Sequence, residues 1–314
     1  MQGDGGAVIA TYPKDDLASA VWIDLLDPTD DDLAQVTKAT ALRVPSESEI
    51  SEIESTSRLA FEGGAYYVSA PLLALGDDGD LVMVPVGFVL SARVLITVRF
   101  ALLPSFDAAH TVCGTQQPRS AEDAFLRILE VVVDRSADKL EQASAECDRL
   151  SRNAFRGTAR DTRGKNLRQA LTRVGGVADR TSRIRDSLLV LGRVAAFIME
   201  GVPTAAPFLS PTRLKSIRDD IASLTDYEAH LTGKVQFLLD ATLGFISIEQ
   251  NEVVKTLTIA SVVGIPPVLI AGIYGMNFHY MPELDWHFGY PLALAVIVVS
   301  GLLPLVWFKR RGWM

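Results

Sequence analysis

At 314 residues the chain can hold one large domain or two modest ones, but 48 % hydrophobic residues and a mean hydropathy of +0.22 are high for a protein bathed only in water. A net charge of −8 argues against nucleic acid as a partner. Two cysteines, Cys113 and Cys147, without metal-ligand spacing exclude a disulfide framework and read as reduced structural thiols.

The opening segment MQGDGGAVIA has neither a basic flank nor a long apolar run, so it does not read as a secretory signal, and everything before the apolar C-terminal segments is expected in the cytoplasm. Residues 1–110 carry 6 Lys+Arg against 17 Asp+Glu, which places the acidity in the first third. Residues 1–118 are expected to form a cytoplasmic α/β domain. Strand-like runs lie at Val21 to Leu25, Ala65 to Leu73, Leu81 to Leu90 and Val94 to Arg99, bounded by Gly, Asp and Pro. A helix opens after Asp27-Pro28, with Thr29 as N-cap ahead of acidic first-turn residues.

Residues 119–209 have helical periodicity interrupted near Gly157 and at Gly201 to Pro207, which predicts a pair of long antiparallel helices. The arginines from Arg149 to Arg193 are interspersed with acids and read as a solvated face. Residues 210–255 form a stalk helix with Ser210 as cap and Pro211 at N1. No strong breaker follows until Pro266-Pro267. An unbroken helix from Pro211 to Tyr274 would be roughly 95 Å long at about 1.5 Å per residue. Such a rod needs neighbours, and its apolar positions, Ile217, Leu231 and Leu238 among them, suit parallel copies from other subunits. Asp219, Asp220, Asp226, Glu228 and Asp240 on this stalk could face one another across subunits, where a divalent ion would relieve their repulsion; Asp219, Asp220 and Asp226 are the candidate regulatory metal ligands.

Residues 256–274 and 288–308 contain no charged side chain, and each is long enough to cross a hydrocarbon core of roughly 30 Å. Soluble core hairpins rarely run so long without a charge. Lys255 precedes the first span and Lys309, Arg310 and Arg311 open the basic tail, residues 309–314. The connecting loop, residues 275–287, carries Glu283 and Asp285. Both termini are therefore expected inside.

The first span contains Thr258, Ser261, Gly264 and Gly272, whereas the second is mostly Leu, Val, Ile and Ala. Small and polar residues in a span face a bundle interior or a water path, and a uniformly apolar span can face lipid. Asn251, Val254, Thr258, Ser261, Ile265, Val268 and Gly272 fall on one stripe at steps of three and four, as pore-lining positions should. One helix cannot enclose a pore, so the topology demands a homo-oligomer of closed cyclic symmetry.

The outer end reads Tyr274-Gly275-Met276-Asn277-Phe278, followed by Met281-Pro282-Glu283-Leu284. The Gly-Met-Asn triplet after a C-terminal span, with MPEL in the loop, closely resembles the signature of CorA magnesium channels. Asn251-Glu252-Val253 and the basic tail with Trp313 are similar to that family, as are Trp22 to Leu25, Ser57-Arg58 and Leu95 to Arg99 in the first domain. The resemblance is strong over residues 210–314 and patchier before. It implies a funnel-shaped homopentamer. Each subunit would have an α+β cytoplasmic domain and an all-α membrane hairpin, the stalk helix running on into the pore span and the second span outside it.

A filter for Mg²⁺ should hold the hydrated ion rather than strip it. Asn277 amides, with nearby backbone from Gly275 and Met276, suit that task, and Glu283 and Asp285 would gather cations at the outer mouth. Val254, Leu257 and Ile265 match positions that look like a hydrophobic constriction in the family. The resemblance further implies gating by intracellular Mg²⁺ and passage of Co²⁺ or Ni²⁺. No phosphate loop, nucleophile cluster or organic-cofactor motif stands out, so neither an enzyme nor an ATP-driven pump is expected. His279 and His287 alone make a weak case for a soft-metal site. The rival readings are a Zn²⁺ transporter of the same fold, as in the ZntB branch, and a membrane-anchored oligomeric regulator without flux.

Overall fold

The computed structural model describes residues 8–13, 16–51, 59–76, 79–156, 163–201, 210–276, 279, 281–282 and 285–313. They divide into two compact units, one drawn from residues 1–157 and 170–239, the other from residues 158–169 and 240–314.

The first unit is built on a six-stranded mixed sheet in the order β1-β2-β6-β5-β4-β3. Its strands are β1 (Val8–Tyr12), β2 (Trp22–Leu26), β3 (Leu59–Glu62), β4 (Ala65–Leu75), β5 (Leu81–Ser91) and β6 (Leu95–Arg99). Among the described residues only β2 and β6 pair in parallel. The central strands are buried on both faces, so their side chains alternate between two cores. Trp22, Phe88, Leu90 and Leu95 point to one core with α3 (Pro104–Thr115), α4 (Ala121–Arg156), α5 (Arg163–Gly201) and the cytoplasmic part of α6 (Pro211–Tyr274). Ile23, Leu25, Val89, Ile96 and Val98 point to the other, with Val36 of α1 (Asp30–Thr40) and Ile50 of α2 (Glu47–Ser51). Helices thus cover both faces of the sheet. The four strand-like runs of the sequence correspond to β2, β4, β5 and β6. The two edge strands, β1 and β3, are short and half exposed, which blurs the alternation that marks a strand.

The Thr29 cap forms as expected. Its Oγ1 accepts the Asp32 amide at 3.3 Å, and the Asp32 carboxylate accepts the Thr29 amide at 2.9 Å, a reciprocal capping box.

A polar network crosses the larger core. The β2–β6 register sets Asp24 opposite Thr97 and Leu26 opposite Arg99. Asp24, 1 % exposed, accepts hydrogen bonds from Thr97 Oγ1 at 2.6 Å and Arg99 Nη2 at 2.9 Å, and its Oδ2 lies 2.7 Å from His110 Nε2. Tyr12 Oη closes the chain 2.9 Å from His110 Nδ1. Trp22 donates Nε1 to Thr97 and stacks on both Tyr12 and His110. Burial alone would push the Asp24 carboxyl up, but the His110 hydrogen bond and then the Arg99 guanidinium overcome it and hold the group below the usual carboxylate range.

Three helices of this unit are tied by ion pairs at matching heights. Arg213 of α6 reaches Asp123 and Glu130 of α4, each at 2.9 Å, and Lys234 of α6 pairs with Asp148 of α4, so these two helices run parallel. Arg180 of α5 meets Glu146 of α4 and Arg185 meets Glu228 of α6, both at 2.6 Å, which sets α5 antiparallel to its neighbours. Burial pushes Asp123 up, yet bonds from the Arg127 side chain, the Arg119 amide and Arg213 draw it down to about 2. Glu228 corrects an expectation. It is 1 % exposed and bonded to Arg185 and Thr232 of its own chain rather than turned toward another subunit. Its partner stands 43 residues away, beyond what helical spacing can reveal.

Helix α6 is continuous over 64 residues and passes Pro266 and Pro267 without a break. Proline removes an amide donor and leaves a carbonyl one turn earlier without its partner, a defect that transmembrane helices tolerate when a neighbour covers it. The start of α6 is anchored too, since the Ser210 amide donates to Glu122 and the Ser210 carbonyl accepts Leu214 N at 3.3 Å.

Candidate ion-conduction site

The second unit holds the apolar part of α6 and the helix α7 (Gly289–Arg310). None of the most apolar stretch of α6, and only 6 % of that of α7, is buried. A core hairpin of a soluble protein would be covered on most sides. These helices instead present apolar side chains outward over the length of a bilayer.

Between Lys255 and Ile270 of α6 the partly shielded residues other than Ser261, namely Lys255, Ile259, Val263, Pro266, Pro267 and Ile270, share one face. Helix α7 meets that face with Gly301. A Cβ built there would lie 3.4 Å from Pro267 Cγ and 3.8 Å from the Val263 carbonyl oxygen. Val263 is the residue whose carbonyl loses its helical donor to Pro267, so α7 approaches where the α6 backbone is incomplete. Gly301→Leu is expected to force the helices apart and to lower the thermal stability of the detergent-solubilised protein by about 1–3 kcal/mol, while Gly301→Ala stays near wild type. Equal losses for the two would show that the close approach is unimportant.

The stripe read from the sequence faces elsewhere. At about 100° per residue its centre lies roughly 150° around the helix from the shielded face. Val254, Leu257, Ile265 and Val268 are 59, 67, 61 and 72 % exposed. Asn251, Thr258 and Gly272 are exposed with them and Ser261 is half-buried. Thr258 Oγ1 donates to the Val254 carbonyl at 2.8 Å, which spends its proton on its own helix and leaves lone pairs directed outward. A ring of such oxygens would accept hydrogen bonds from the waters around a cation.

At the outer end the helix tightens. The Gly275 amide is shared between the carbonyls of Ala271 at 3.0 Å and Gly272 at 3.2 Å, and Met276 N reaches Ile273 O at 3.2 Å. A Cβ on Gly275 would sit 3.2 Å from the Ala271 oxygen, closer than side chains ordinarily tolerate. A side chain there would require the turn to give by a few tenths of an ångström. Met276 and Asp285 are exposed. Asn277 and Glu283, the other two outer-mouth candidates, lie outside the described residues, as do Ser57 and Arg58.

Asp219, Asp220 and Asp226 are exposed on the cytoplasmic part of α6. Asp219 pairs with Arg218 at 3.1 Å. Asp220 belongs to a different setting. Burial first, and then the charges of Asp138, Glu130 and Asp220, push the Asp134 carboxyl of α4 above its usual range.

A family model described as CorA-like Mg²⁺ transporter protein matches residues 18–310. The chain belongs to the CorA-like Mg²⁺ transporter family. It is 30 % identical to the magnesium transport protein CorA of Haemophilus ducreyi over 302 residues, 96 % of this chain and 94 % of that protein. With the magnesium transport protein CorA of Escherichia coli strain K12 the identity is 31 % over 300 residues, 95 % of this chain and 93 % of the relative. The fold is similar to that of the complete CorA magnesium transporter from Methanocaldococcus jannaschii, with a TM-score of 0.73 at 22 % identity over 93 % of this chain and 91 % of that one. It is also similar to full-length CmaX, with a TM-score of 0.67 at 16 % identity over 93 % and 88 % of the two chains.

This is a family of transporters rather than enzymes. The CorA fold seen here, an α+β domain followed by a long helix and an apolar C-terminal helix, makes the chain an integral membrane protein with two spans. Two spans return the chain to its starting side. The basic residues Lys255 and Lys309 to Arg311 at the inner ends make that side the cytoplasm.

Proposed function

We propose that this chain forms a homopentameric channel that admits Mg²⁺ down its electrochemical gradient. The observation that carries the reading is the division of α6 into two faces, one shielded where α7 meets it, the other exposed at Asn251, Thr258 and Gly272 with Ser261 half-buried, and followed in the sequence by Gly275-Met276-Asn277. Copies of α6 set around an axis would turn the open faces inward and leave α7 to the lipid. Pentamer stoichiometry follows from the resemblance of the GMN and MPEL signature.

The proposed filter is a ring of Asn277 amides backed by the tightened Gly275-Met276 turn. Mg²⁺ surrenders water slowly, so conduction favours groups that hydrogen-bond its hydration shell and then release it. Glu283 and Asp285 would raise the local cation concentration at the mouth. Deeper in, rings of Val254, Leu257 and Ile265 would form an apolar constriction that conducts when wetted and closes when dry. An inside-negative potential supplies about 4.6 kcal/mol per 100 mV to a divalent ion, twice the value for one charge, so ATP is unnecessary.

Intracellular Mg²⁺ is proposed to close the channel by bridging carboxylates of the stalk. Asp220 is the best supported of the three candidates, because its charge reaches Asp134 of α4, whereas Asp219 already has Arg218. Replacing Asp219, Asp220 and Asp226 together by Asn should leave Mg²⁺ flux running at internal Mg²⁺ that silences wild type. Inhibition unchanged in the triple variant would exclude a stalk sensor. The channel reading itself is tested by dye-reported ion uptake into proteoliposomes with Mg²⁺, Co²⁺, Ni²⁺ and Zn²⁺ offered separately.

A further inference from the structure

The cytoplasmic end of the hairpin is more ordered than a basic tail requires. Helix α7 closes with Arg311 as C-cap, and Gly312 follows at φ +72. Gly312 N donates to the Lys309 carbonyl at 3.2 Å and Trp313 N to the Phe308 carbonyl at 3.0 Å, the paired bonds of a Schellman motif. The hydrophobic contact that accompanies this motif is present, since the Trp313 ring stacks on Phe308 at 5.4 Å. The chain therefore hooks back, and its tryptophan lands above α6, where Lys255 Nζ lies 5.8 Å from the ring centroid. On the adjacent face of α7, the Arg311 guanidinium lies 5.0 Å from the Trp307 ring.

The hook thus gathers Lys255, Lys309, Arg310 and Arg311 beside two exposed indoles. Among the described residues none of these four cations has an ion-pair partner, although several arginines of the other unit do. Glu252, one turn before Lys255, is exposed and pairs with none of them. Four cations and two indoles gathered at the inner membrane boundary match an amphipathic ligand whose anionic head sits above an apolar body.

We propose that this hook is a binding site for an anionic phospholipid headgroup of the cytoplasmic leaflet, with Lys255 and Arg311 held over tryptophan faces and the phosphate shared between the basic side chains. Anionic surfaces attract polybasic segments in general, so what marks a built site is dependence on the hook as well as on charge. Gly312 provides that separation. Only glycine accepts its φ readily, so Gly312→Val breaks the motif while leaving every cation in place.

The full-length protein would be reconstituted in phosphatidylcholine membranes containing spin-labelled phosphatidylglycerol or spin-labelled phosphatidylcholine, and the motionally restricted fraction of each read by electron spin resonance. Wild type is expected to prefer phosphatidylglycerol severalfold. Each neutralised cation should lower that preference by up to about fivefold, so that Lys309→Gln with Arg310→Gln and Arg311→Gln abolishes it. Gly312→Val and Trp313→Ala should lower it at unchanged charge in protein that keeps the wild-type oligomeric state. Inorganic phosphate at millimolar concentration should not displace the lipid. A preference that survives Gly312→Val would reduce the cluster to a diffuse positive flank and overturn the proposal, as would equal retention of the two lipids by wild type. Displacement by free phosphate would overturn the lipid assignment.

Discussion

Asn277→Ala is expected to yield a protein that inserts and assembles like wild type and yet takes up Mg²⁺ at least about a hundredfold more slowly. An amide at this position can donate to and accept from the waters of a hydrated ion. A net hydrogen bond is worth about 0.5–1.5 kcal/mol, and a symmetric ring loses one from every copy at once, so the barrier to entry should rise by several kcal/mol, each 1.4 kcal/mol being about tenfold. Just before Asn277 in the sequence the backbone is tight: the Gly275 amide is shared between the carbonyls of Ala271 and Gly272, and a Cβ on that residue would sit 3.2 Å from the Ala271 oxygen. Gly275→Ala should therefore reduce flux as well, by displacing the filter rather than deleting its amide. If Asn277→Ala conducted normally in an assembled oligomer, the triplet would be a helix cap and selection would have to reside elsewhere on the open face.

The second large effect lies in the cytoplasmic domain. Asp24→Ala is expected to destabilise that domain by about 3–5 kcal/mol, because it leaves the Arg99 guanidinium, 4 % exposed, as an unpaired buried charge and strips His110 and Thr97 of their shared acceptor. Trp22 stacks on His110 and bonds to Thr97, so its fluorescence should report the transition. The folded-state carboxyl is depressed below its ordinary value. Its contribution is therefore complete above the unfolded pKa of about 3.9 and is lost as pH falls through the lower folded value. A loss under about 1 kcal/mol at neutral pH, in thermal unfolding of the full-length protein in detergent, would mean that the network relaxes around the missing carboxylate.

The membrane end of the protein was legible because the bilayer imposes strict rules on sequence. Charge-free stretches of fixed length and basic flanks survive without any knowledge of the fold. Local signals were equally readable, as Thr29 with Asp32 shows. What was hidden depends on contacts between distant residues. Asp24 sits in a strand-like run as an apparently misplaced acid, and its partners Thr97, Arg99 and His110 stand 73 to 86 residues away. Glu228 looked like any other stalk acid until α5 supplied Arg185. The hook at Gly312 had a partial signal, a glycine after a basic last turn, but only the structure shows Trp313 folding back on Phe308 and over Lys255.

In the proposed function Mg²⁺ passes through a pore lined by the open face of α6. The most direct test is uptake into proteoliposomes holding a Mg²⁺-sensitive dye, at imposed inside-negative potentials, with Co²⁺, Ni²⁺ and Zn²⁺ as competitors and as alternative substrates. Mg²⁺ entry that grows with the potential and needs no nucleotide is the predicted result. Zn²⁺ entry without Mg²⁺ entry, or no flux of any ion from an intact oligomer, would contradict it.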